Sequence, residues 1–228
     1  MKIAILAAMD KEMALLEHII EDPRPAEAEG VKSVIGRIGE HEVLLARCGI
    51  GKVNAALNTY RVIRTFAPEL VINSGVAGGA GGVEIGTLLV AGEVAYHDVW
   101  CAPGTTPGTA DGFDLFFHSS PRVLKVAHEY ISDPAPSFGL IATGDMFISK
   151  AEEIQRIHEI FPDAVAVDME SAAIAQTCTA EGVEFSIIRV VSDTPGEGEN
   201  ISQYKDFWGI APQTTFKAVQ TILKHLGE

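Results

Sequence analysis

The chain has 228 residues, of which 47% are hydrophobic, and this length suits one α/β domain over residues 1–228 with a sizeable buried core. Its formal net charge of −14 at pH 7 gives a surface that repels phosphate backbones, so we expect no nucleic-acid partner. The longest uncharged run, residues 70–83, is far shorter than the roughly 20 apolar residues that cross a bilayer, and no signal-peptide pattern follows Met1, so we expect a cytoplasmic protein without a membrane partner.

The first half of the chain alternates apolar runs, typical of buried strands, with helical patterns. Asp10 is a suitable N-cap for a helix with one apolar face, and the Asp-Pro-Arg-Pro sequence at 22–25 is expected to stop that helix. A tight turn at residues 39–41 joins two strand-like runs into a hairpin. In chain order, the patterns predict a strand over residues 2–8, a helix from 10 to about 20, strands over 31–38 and 42–48, a helix over 51–65, and strands over 70–74 and 87–97.

The second half opens with a loop over residues 99–120 that contains Gly and Pro, and then continues the alternation. Pro121 fits the first turn of a helix, and Ser149 and Glu152 have the spacing of a capping box. Pro212 is expected to kink or split the last helical pattern. In chain order, the patterns predict a helix over residues 121–131, a strand over 137–143, a helix from 149 to about 160, a strand over 164–167, a helix over 169–181, a strand over 184–192 and a helical pattern over 202–226.

Strands that alternate with helices throughout a chain are typical of α/β proteins. We therefore predict a single domain with a mixed, twisted central β-sheet flanked by helices, in three α/β/α layers. The sequence contains no internal repeat and no low-complexity linker that would mark a domain boundary. The three cysteines are too few and too scattered for a disulfide framework or a zinc site, so we expect neither a metal nor another cofactor.

Three acidic residues follow apolar runs at distant points of the chain. Glu12 follows the first strand, Glu170 follows the strand that ends at residue 167, and Asp193 follows the last strand. Carboxylates at the carboxyl ends of parallel strands converge on one cleft, where they can do acid-base work on a bond whose transition state is cationic. Taken singly, each of them could instead be a first-turn acid, an N-cap or a turn residue.

Two Gly-containing segments follow strands, at residues 48–53 and 75–82. Glycines let backbone amides approach a ligand closely, but neither segment has the dinucleotide-binding spacing or the sequence of a phosphate-binding loop. On composition, a tight crossover between strands and a ligand contact are equally good interpretations of 75–82. For Lys52, a solvated side chain at the start of a helix is the favoured interpretation over phosphate binding.

Seven short motifs, taken in order along nearly the whole chain, carry a family resemblance. They are Ala-Ala-Met-Asp-Lys-Glu at 7–12, Cys-Gly-Ile-Gly-Lys-Val at 48–53, Asn-Ser-Gly-Val-Ala-Gly-Gly at 73–79, Tyr-His-Asp at 96–98, Thr-Gly-Asp-Met-Phe-Ile at 143–148, Asp-Met-Glu-Ser-Ala-Ala at 168–173 and Arg-Val-Val-Ser-Asp at 189–193. In combination they resemble the 5'-methylthioadenosine/S-adenosylhomocysteine nucleosidases of the purine nucleoside phosphorylase superfamily. The resemblance implies a nucleoside phosphorylase-like fold, a hydrolase that acts on the N-glycosidic bond of 5'-thio-substituted adenosines, and a homodimer.

The resemblance also implies catalytic roles for four residues. Glu12 matches the general base that activates water, and Arg189 matches a residue that helps to hold that water. Glu170 matches the carboxylate that binds the ribose hydroxyls. Asp193 matches the acid that protonates N7 of adenine.

Further positions match the residues that bind substrate in the family. Ser192 supports the acid, Met169 lines the sugar, Phe147 stacks on adenine, and Ile148 offers backbone hydrogen bonds to the base. The remaining matches lie near the sugar and the 5' substituent: Met9, Ile50, Val76, Ala77, Gly78 and Tyr204. A partner subunit is expected to close the 5' pocket with its loop near residues 101–116.

Two departures from the family pattern affect these expectations. Val76 stands where the family often has Ser, so only a backbone role is expected there, and residues 99–104 differ from the more familiar sequence. A phosphate-dependent purine nucleoside phosphorylase, an aminodeoxyfutalosine nucleosidase and a non-catalytic nucleoside sensor stay open as alternatives. So does the preference among methylthioadenosine, S-adenosylhomocysteine and 5'-deoxyadenosine. Glu12 favours water over phosphate as the nucleophile, because a carboxylate repels the phosphate anion.

Overall fold

The computed structural model of the protein describes residues 1–196, 200–207 and 211–227. Within these ranges the chain forms one α/β domain with ten strands and seven helices. The strands are β1 (Lys2–Ala7), β2 (Glu21–Ala28), β3 (Val31–Ile38), β4 (His41–Arg47), β5 (Leu70–Gly79), β6 (Leu88–Tyr96), β7 (Phe117–His118), β8 (Ser137–Thr143), β9 (Ala164–Asp168) and β10 (Glu184–Asp193). The helices are α1 (Asp10–Glu17), α2 (Lys52–Phe66), α3 (Pro121–Tyr130), α4 (Ala151–Ile160), α5 (Ser171–Glu181), α6 (Asn200–Asp206) and α7 (Ala211–His225).

Five strands of the mixed sheet close into a ring. β5 pairs with β10, β10 with β6, β6 with β8, β8 with β9, and β9 returns to β5. β1, β4, β3 and β2 extend the sheet outward from β5. Because β1, β5 and β10 are parallel to one another, their carboxyl ends lie at the same edge of the sheet, where ligands bind in α/β proteins.

The central strands are buried on both faces, which explains why their sequences are almost continuously apolar. Along β1, Ile3 and Ile5 pack into one hydrophobic cluster while Ala4 and Leu6 pack into another. The first cluster is completed by α1, α3 and α7, and the second by α2 and α5. The predicted arrangement of a mixed sheet between helical layers is therefore confirmed. None of the helices in the described ranges is long and apolar enough to cross a membrane.

The structure predicted for the residues between α1 and the hairpin of β3 and β4 was wrong. Residues 22–25 do not simply stop a helix, because α1 already ends at Glu17 and these residues lie within β2. β2 is the last strand in the order of the sheet and pairs with β3 across a bulge between Glu21 and Arg24. Two prolines are tolerated there because an edge strand does not need every backbone N–H for pairing.

The Gly-rich segment after residue 74 continues a strand instead of forming a crossover. β5 runs on to Gly79, pairing with β10 as far as Gly78 and with β9 through Gly78 and Gly79. Glycines inside a strand allow another part of the chain to approach closely. The segment thereby brings β9 and β10 together at the edge of the sheet where the carboxylates lie.

Smaller differences concern the ends of helices. Glu153, and not Glu152, accepts the capping hydrogen bonds of α4, from the backbone N–H groups of Ser149 at 2.9 Å and Lys150 at 3.0 Å. α5 begins at Ser171, with Glu170 as its N-cap. The last helical pattern is split, as predicted, into α6 and α7, with Pro212 in the first turn of α7, where proline is accepted. Between these helices, residues 208–210 lie outside the described residues.

Candidate active site

A cleft of about 480 Å³, including the part open to solvent, lies at the carboxyl ends of β1, β5 and β10. The cleft brings together the three carboxylates of Glu12, Glu170 and Asp193. It is lined by twelve of the fourteen residues expected from the sequence: Met9, Glu12, Ile50, Val76, Ala77, Gly78, Phe147, Met169, Glu170, Ser192, Asp193 and Tyr204.

The other two expected residues lie next to the cleft. Arg189 is 1% exposed and lies beneath the cleft, behind its carboxylates. Ile148 is buried in the wall of a smaller adjoining cavity that shares Phe147 and Asp193 with the cleft. The backbone carbonyl of Ile148 accepts a hydrogen bond from Nδ2 of Asn200 at 3.4 Å.

Glu12 is held by backbone N–H groups in the first turn of α1. Its Oε2 accepts a hydrogen bond from the backbone N–H of Met9 at 3.0 Å, and the backbones of Ala8 and Val76 also donate to its carboxylate. Burial raises the pKa of Glu12 above its ordinary value, against the opposing influence of Arg189 and these donors. A carboxylate with a raised pKa is a stronger proton acceptor, which suits a general base.

Arg189 is a fully buried cation within a cluster of acids. Its Nε and Nη2 donate to Oδ2 of Asp168 at 3.0 and 2.8 Å, and Nη2 lies 3.5 Å from Oε2 of Glu170. Burial by itself would lower the pKa of Arg189, but Asp168, Glu170 and Glu12 together raise it. The guanidinium therefore keeps its charge and compensates that of the surrounding carboxylates.

Glu170 connects the start of α5 to the start of α2. Its Oε1 accepts a hydrogen bond from the backbone N–H of Gly51 at 3.0 Å. Burial raises the pKa of Glu170 to about 7; Arg189 opposes this change and Asp168 adds to it. The negative charge at this position is thus costly, and a ligand that is positively charged or donates hydrogen bonds would stabilise it.

Asp193 ends β10 and is 2% exposed. Oγ of Ser192 donates to its Oδ1 at 2.6 Å, and Nδ2 of Asn200 donates to its Oδ2 at 3.4 Å. Burial raises the pKa of Asp193, while these two hydrogen bonds lower it. A carboxyl group with a raised pKa can retain a proton nearer to neutral pH and act as a general acid.

The remaining wall of the cleft is apolar and aromatic. The ring of Phe147 is 44% exposed and meets the ring of Tyr204 edge to face, with 5.5 Å between the centroids. The hydroxyl of Tyr204 lies 3.7 Å from Sδ of Met9. This wall offers a flat, partly open ring and a soft thioether, both suited to a planar base and an apolar substituent.

The described residues contain no group of three or more His, Cys, Asp or Glu side chains that could hold a metal ion. Of the free cysteines, Cys48 and Cys178 are buried. Burial raises the pKa of both thiols, which disfavours the reactive thiolate.

Comparison with known proteins places this geometry in a family. The model of the phosphorylase superfamily matches residues 2–224. The 5'-methylthioadenosine/S-adenosylhomocysteine nucleosidase of Hydrogenovibrio crunogenus is 36% identical over 232 residues, which cover 99% of each chain. The chain belongs to the 5'-methylthioadenosine/S-adenosylhomocysteine nucleosidase family of the phosphorylase superfamily.

Solved structures agree with membership of this nucleosidase family. The Streptococcus pneumoniae 5'-methylthioadenosine/S-adenosylhomocysteine nucleosidase with the transition-state inhibitor MT-ImmA superposes with a TM-score of 0.94 at 33% identity, covering 99% of this chain and 100% of that one. A futalosine hydrolase mutant of Helicobacter pylori has a TM-score of 0.91 at 28% identity, covering 98% of each chain. The fold is thus shared with enzymes described as acting on different nucleosides.

Sequence reasoning missed the residues that hold Arg189 in place. Asp168 accepts its hydrogen bonds and is itself bonded by Oγ1 of Thr143 at 2.6 Å and by the hydroxyl of Ser171. A signal was present, because an arginine inside an apolar run, Ile187–Val191, must be paired if it is buried. Asp168, two residues before Glu170 in the same motif, was the available acid.

Lys52 was also misinterpreted as a solvated side chain. Its Nζ lies 2.7 Å from Oδ1 of Asp98, and its backbone N–H donates to Oδ1 of Asp145 at 2.7 Å. Oδ2 of Asp98 accepts a hydrogen bond from the backbone N–H of Asp145 at 2.8 Å. These contacts join the start of α2, which directly follows Gly51, to the loop that carries Phe147.

Proposed function

We propose that the chain hydrolyses the N-glycosidic bond of 5'-methylthioadenosine and S-adenosylhomocysteine and releases adenine and the 5-thio-substituted ribose. The observation that carries this proposal is the convergence of Glu12, Glu170 and Asp193 on one cleft above the buried Arg189. Membership of the nucleosidase family supports it over the full length of the chain.

The leaving group requires an acid. The adenine anion is a poor leaving group. Protonation of N7 allows adenine to leave as a neutral molecule. We assign this protonation to Asp193, because its burial raises its pKa and Ser192 fixes the orientation of its carboxyl group. Phe147 offers its exposed ring face for stacking on the base, and the backbone of Ile148 offers hydrogen bonds at the base end of the cleft.

The sugar requires negative charge nearby. As the bond to adenine lengthens, the ribose acquires the character of an oxocarbenium ion, which fixed carboxylates stabilise without reorganising. We assign Glu170 to the ribose hydroxyls, with Met169 and the backbone of residues 76–78 along the sugar. Positive charge on the ribose also lowers the cost of ionising Glu170, whose pKa is raised by burial to about 7.

The nucleophile requires a base. We assign Glu12 to take a proton from water as the water attacks the anomeric carbon, and Arg189 to hold Glu12 and Glu170 in position. The backbone N–H of Val76 reaches Glu12, so the position does not depend on the hydroxyl of a serine. The acidic surroundings of Arg189 repel phosphate, which favours hydrolysis over phosphorolysis.

We propose that two copies of the chain form a homodimer. Val53, Leu57 and Tyr60 are 74%, 46% and 44% exposed on one face of α2, at the spacing of a helix stripe. Trp100, which directly precedes the loop near residues 101–116 that the family resemblance assigns to the partner's 5' pocket, is 60% exposed. Sedimentation of the wild type and of a Val53→Glu, Leu57→Glu double variant tests this arrangement, since charges on the stripe should give monomers.

The reaction is tested by adenine release from methylthioadenosine in phosphate-free buffer. The wild type should release adenine, and both Asp193→Asn and Glu12→Gln should lower kcat by roughly a hundredfold or more, the usual contribution of general acid-base catalysis. Release only after phosphate is added, with ribose 1-phosphate as the product, would make the chain a phosphorylase. Release from aminodeoxyfutalosine alone would assign a different substrate.

A further inference from the structure

A second cavity lies beside the cleft and shares the side chain of Ile50 with it. It is larger, about 810 Å³ including the part open to solvent, and lies among the turn at residues 30–32, Arg47 at the end of β4, and Asn54 in the first turns of α2. Ile50 forms part of both walls, so the second cavity adjoins the cleft at a position that the family resemblance places near the sugar and the 5' substituent.

The second cavity has a charged wall next to the cleft. Asp10 directly follows Met9, which lines the cleft, and its carboxylate bridges two cations: Oδ1 lies 3.0 Å from Nζ of Lys32, and Oδ2 lies 3.3 Å from Nη1 of Arg47. Both cations line the second cavity. In a chain with a net charge of −14, the surface beside the cleft thus carries two positive charges and one negative charge next to one another.

These ion pairs have little structural value. The side chains of Asp10, Lys32 and Arg47 are 55%, 69% and 47% exposed, and ion pairs at such positions contribute little to the stability of a fold. They remain free to turn toward a ligand. A guanidinium carries five N–H donors. Arg47 can therefore donate hydrogen bonds to Asp10 and to a second carboxylate at the same time.

The two proposed substrates differ in the group that would reach this wall. Methylthioadenosine ends at a methyl group on sulfur. S-adenosylhomocysteine continues from the sulfur into an amino acid with an ammonium and a carboxylate. A zwitterion is best matched by neighbouring charges of both signs, with a guanidinium as the strongest partner for the carboxylate.

We propose that Asp10, Lys32 and Arg47 form a subsite for the zwitterionic amino-acid tail of S-adenosylhomocysteine, in which the two cations bind the carboxylate and Asp10 binds the ammonium. The subsite rests on the proposed function and defines how the same cleft accepts the longer substrate. It contributes to binding of the tail and takes no part in the chemical step.

The test compares kcat/KM for S-adenosylhomocysteine with kcat/KM for methylthioadenosine in the wild type and in Arg47→Gln. We expect the ratio of the two values to fall by about threefold to fivefold in the variant, the upper part of the range for an exposed ion pair. The ratio should also fall as salt is added to the wild type, because exposed charges are screened. Arg37→Gln is the matched control, since Arg37 is an arginine of β3 whose Nη2 contacts the carbonyl of Gly39, and its ratio should equal that of the wild type.

A substrate with a neutral tail distinguishes the effect of the tail's charge from the effect of its size. For 5'-butylthioadenosine, the ratio to methylthioadenosine should be the same in Arg47→Gln and in the wild type. An unchanged S-adenosylhomocysteine ratio, or an equal fall for the butyl compound, would overturn the subsite. A wild type that releases no adenine from methylthioadenosine would instead contradict the proposed function, so the two failures are distinguishable.

Discussion

Arg189 and Asp168 form an ion pair sealed from water, in which Nε and Nη2 of the arginine lie 3.0 and 2.8 Å from the same carboxylate oxygen. The two side chains are 1% and 2% exposed. Asp168 ends β9 and Arg189 lies within β10, so the pair joins two strands of the ring directly beneath the cleft. Its position implies that the charge balance of the site depends on a residue outside the set predicted from the sequence.

We expect Asp168→Asn to destabilise the fold and to impair catalysis. The substitution keeps the shape of the side chain but leaves the buried guanidinium short of one negative charge, which costs about 3–5 kcal/mol when a buried pair is broken. Urea unfolding should show this loss. Arg122→Gln breaks an exposed pair with Glu184 and should cost less than about 1 kcal/mol; equal losses in the two variants would contradict the importance of burial.

Glu170→Gln should stabilise the protein at alkaline pH while it impairs activity. Burial raises the pKa of Glu170 in the fold to about 7 from an ordinary value of 4.5. The wild type therefore loses stability as the pH rises from about 4.5 to about 7, since in this range the folded chain binds the proton and the unfolded chain does not. The variant should be more stable than the wild type by up to about 3 kcal/mol at pH 8, and the difference should disappear below pH 4.5. Unfolding curves at both pH values decide this, and a constant difference would refute it.

Ser192→Ala should move the alkaline limb of the pH profile of kcat/KM to higher pH. The hydroxyl of Ser192 donates to Asp193 and lowers the pKa of that carboxyl group. Without it the acid keeps its proton to a higher pH, because a hydrogen bond to the charged form no longer favours ionisation. Ser186→Ala, at a buried serine of the same strand, should leave the profile unchanged. A shift toward lower pH would rule out Asp193 as the group that must be protonated.

Gly75→Ala should reduce turnover by about a hundredfold, a loss typical of reacting groups displaced by about 1 Å. A Cβ at Gly75 would overlap Nη1 of Arg189 and lie 2.7 Å from Oε1 of Glu12. Gly92→Ala is the control, because a Cβ at Gly92 meets nothing within 4 Å. Similar kinetics in the two variants would show that the approach of Arg189 and Glu12 across Gly75 is not needed.

The elements that the sequence predicted well are those whose local pattern agrees with their environment. β3 and β8 have the predicted bounds, Val31–Ile38 and Ser137–Thr143, because their apolar runs are framed by turn residues. β2 could not be predicted, because its sequence, Glu-Asp-Pro-Arg-Pro-Ala-Glu-Ala, has little strand propensity and pairs on one side only. Its formation depends on the edge that β3 offers.

Site residues that belong to a recognisable sequence motif could be predicted. Contacts that depend on the tertiary structure were harder to predict. Glu12, Glu170 and Asp193 follow strands that the sequence identifies, so their convergence could be anticipated. The hydrogen bonds that Arg189 donates to Asp168 depend on the register of β9 and β10 around the ring. The second cavity depends on how the turn at residues 30–32 meets α2, and local patterns contain no information on either.

The closed ring of β5, β10, β6, β8 and β9 has a consequence for how activity is lost. Each of these strands is paired with two others in the ring, and the ends of β5, β9 and β10 carry the groups around Arg189. Local opening that releases one strand therefore breaks pairing on both of its sides. In a denaturant titration, catalysis and strand structure should disappear in a single cooperative step, so that inactivation reports directly on global unfolding.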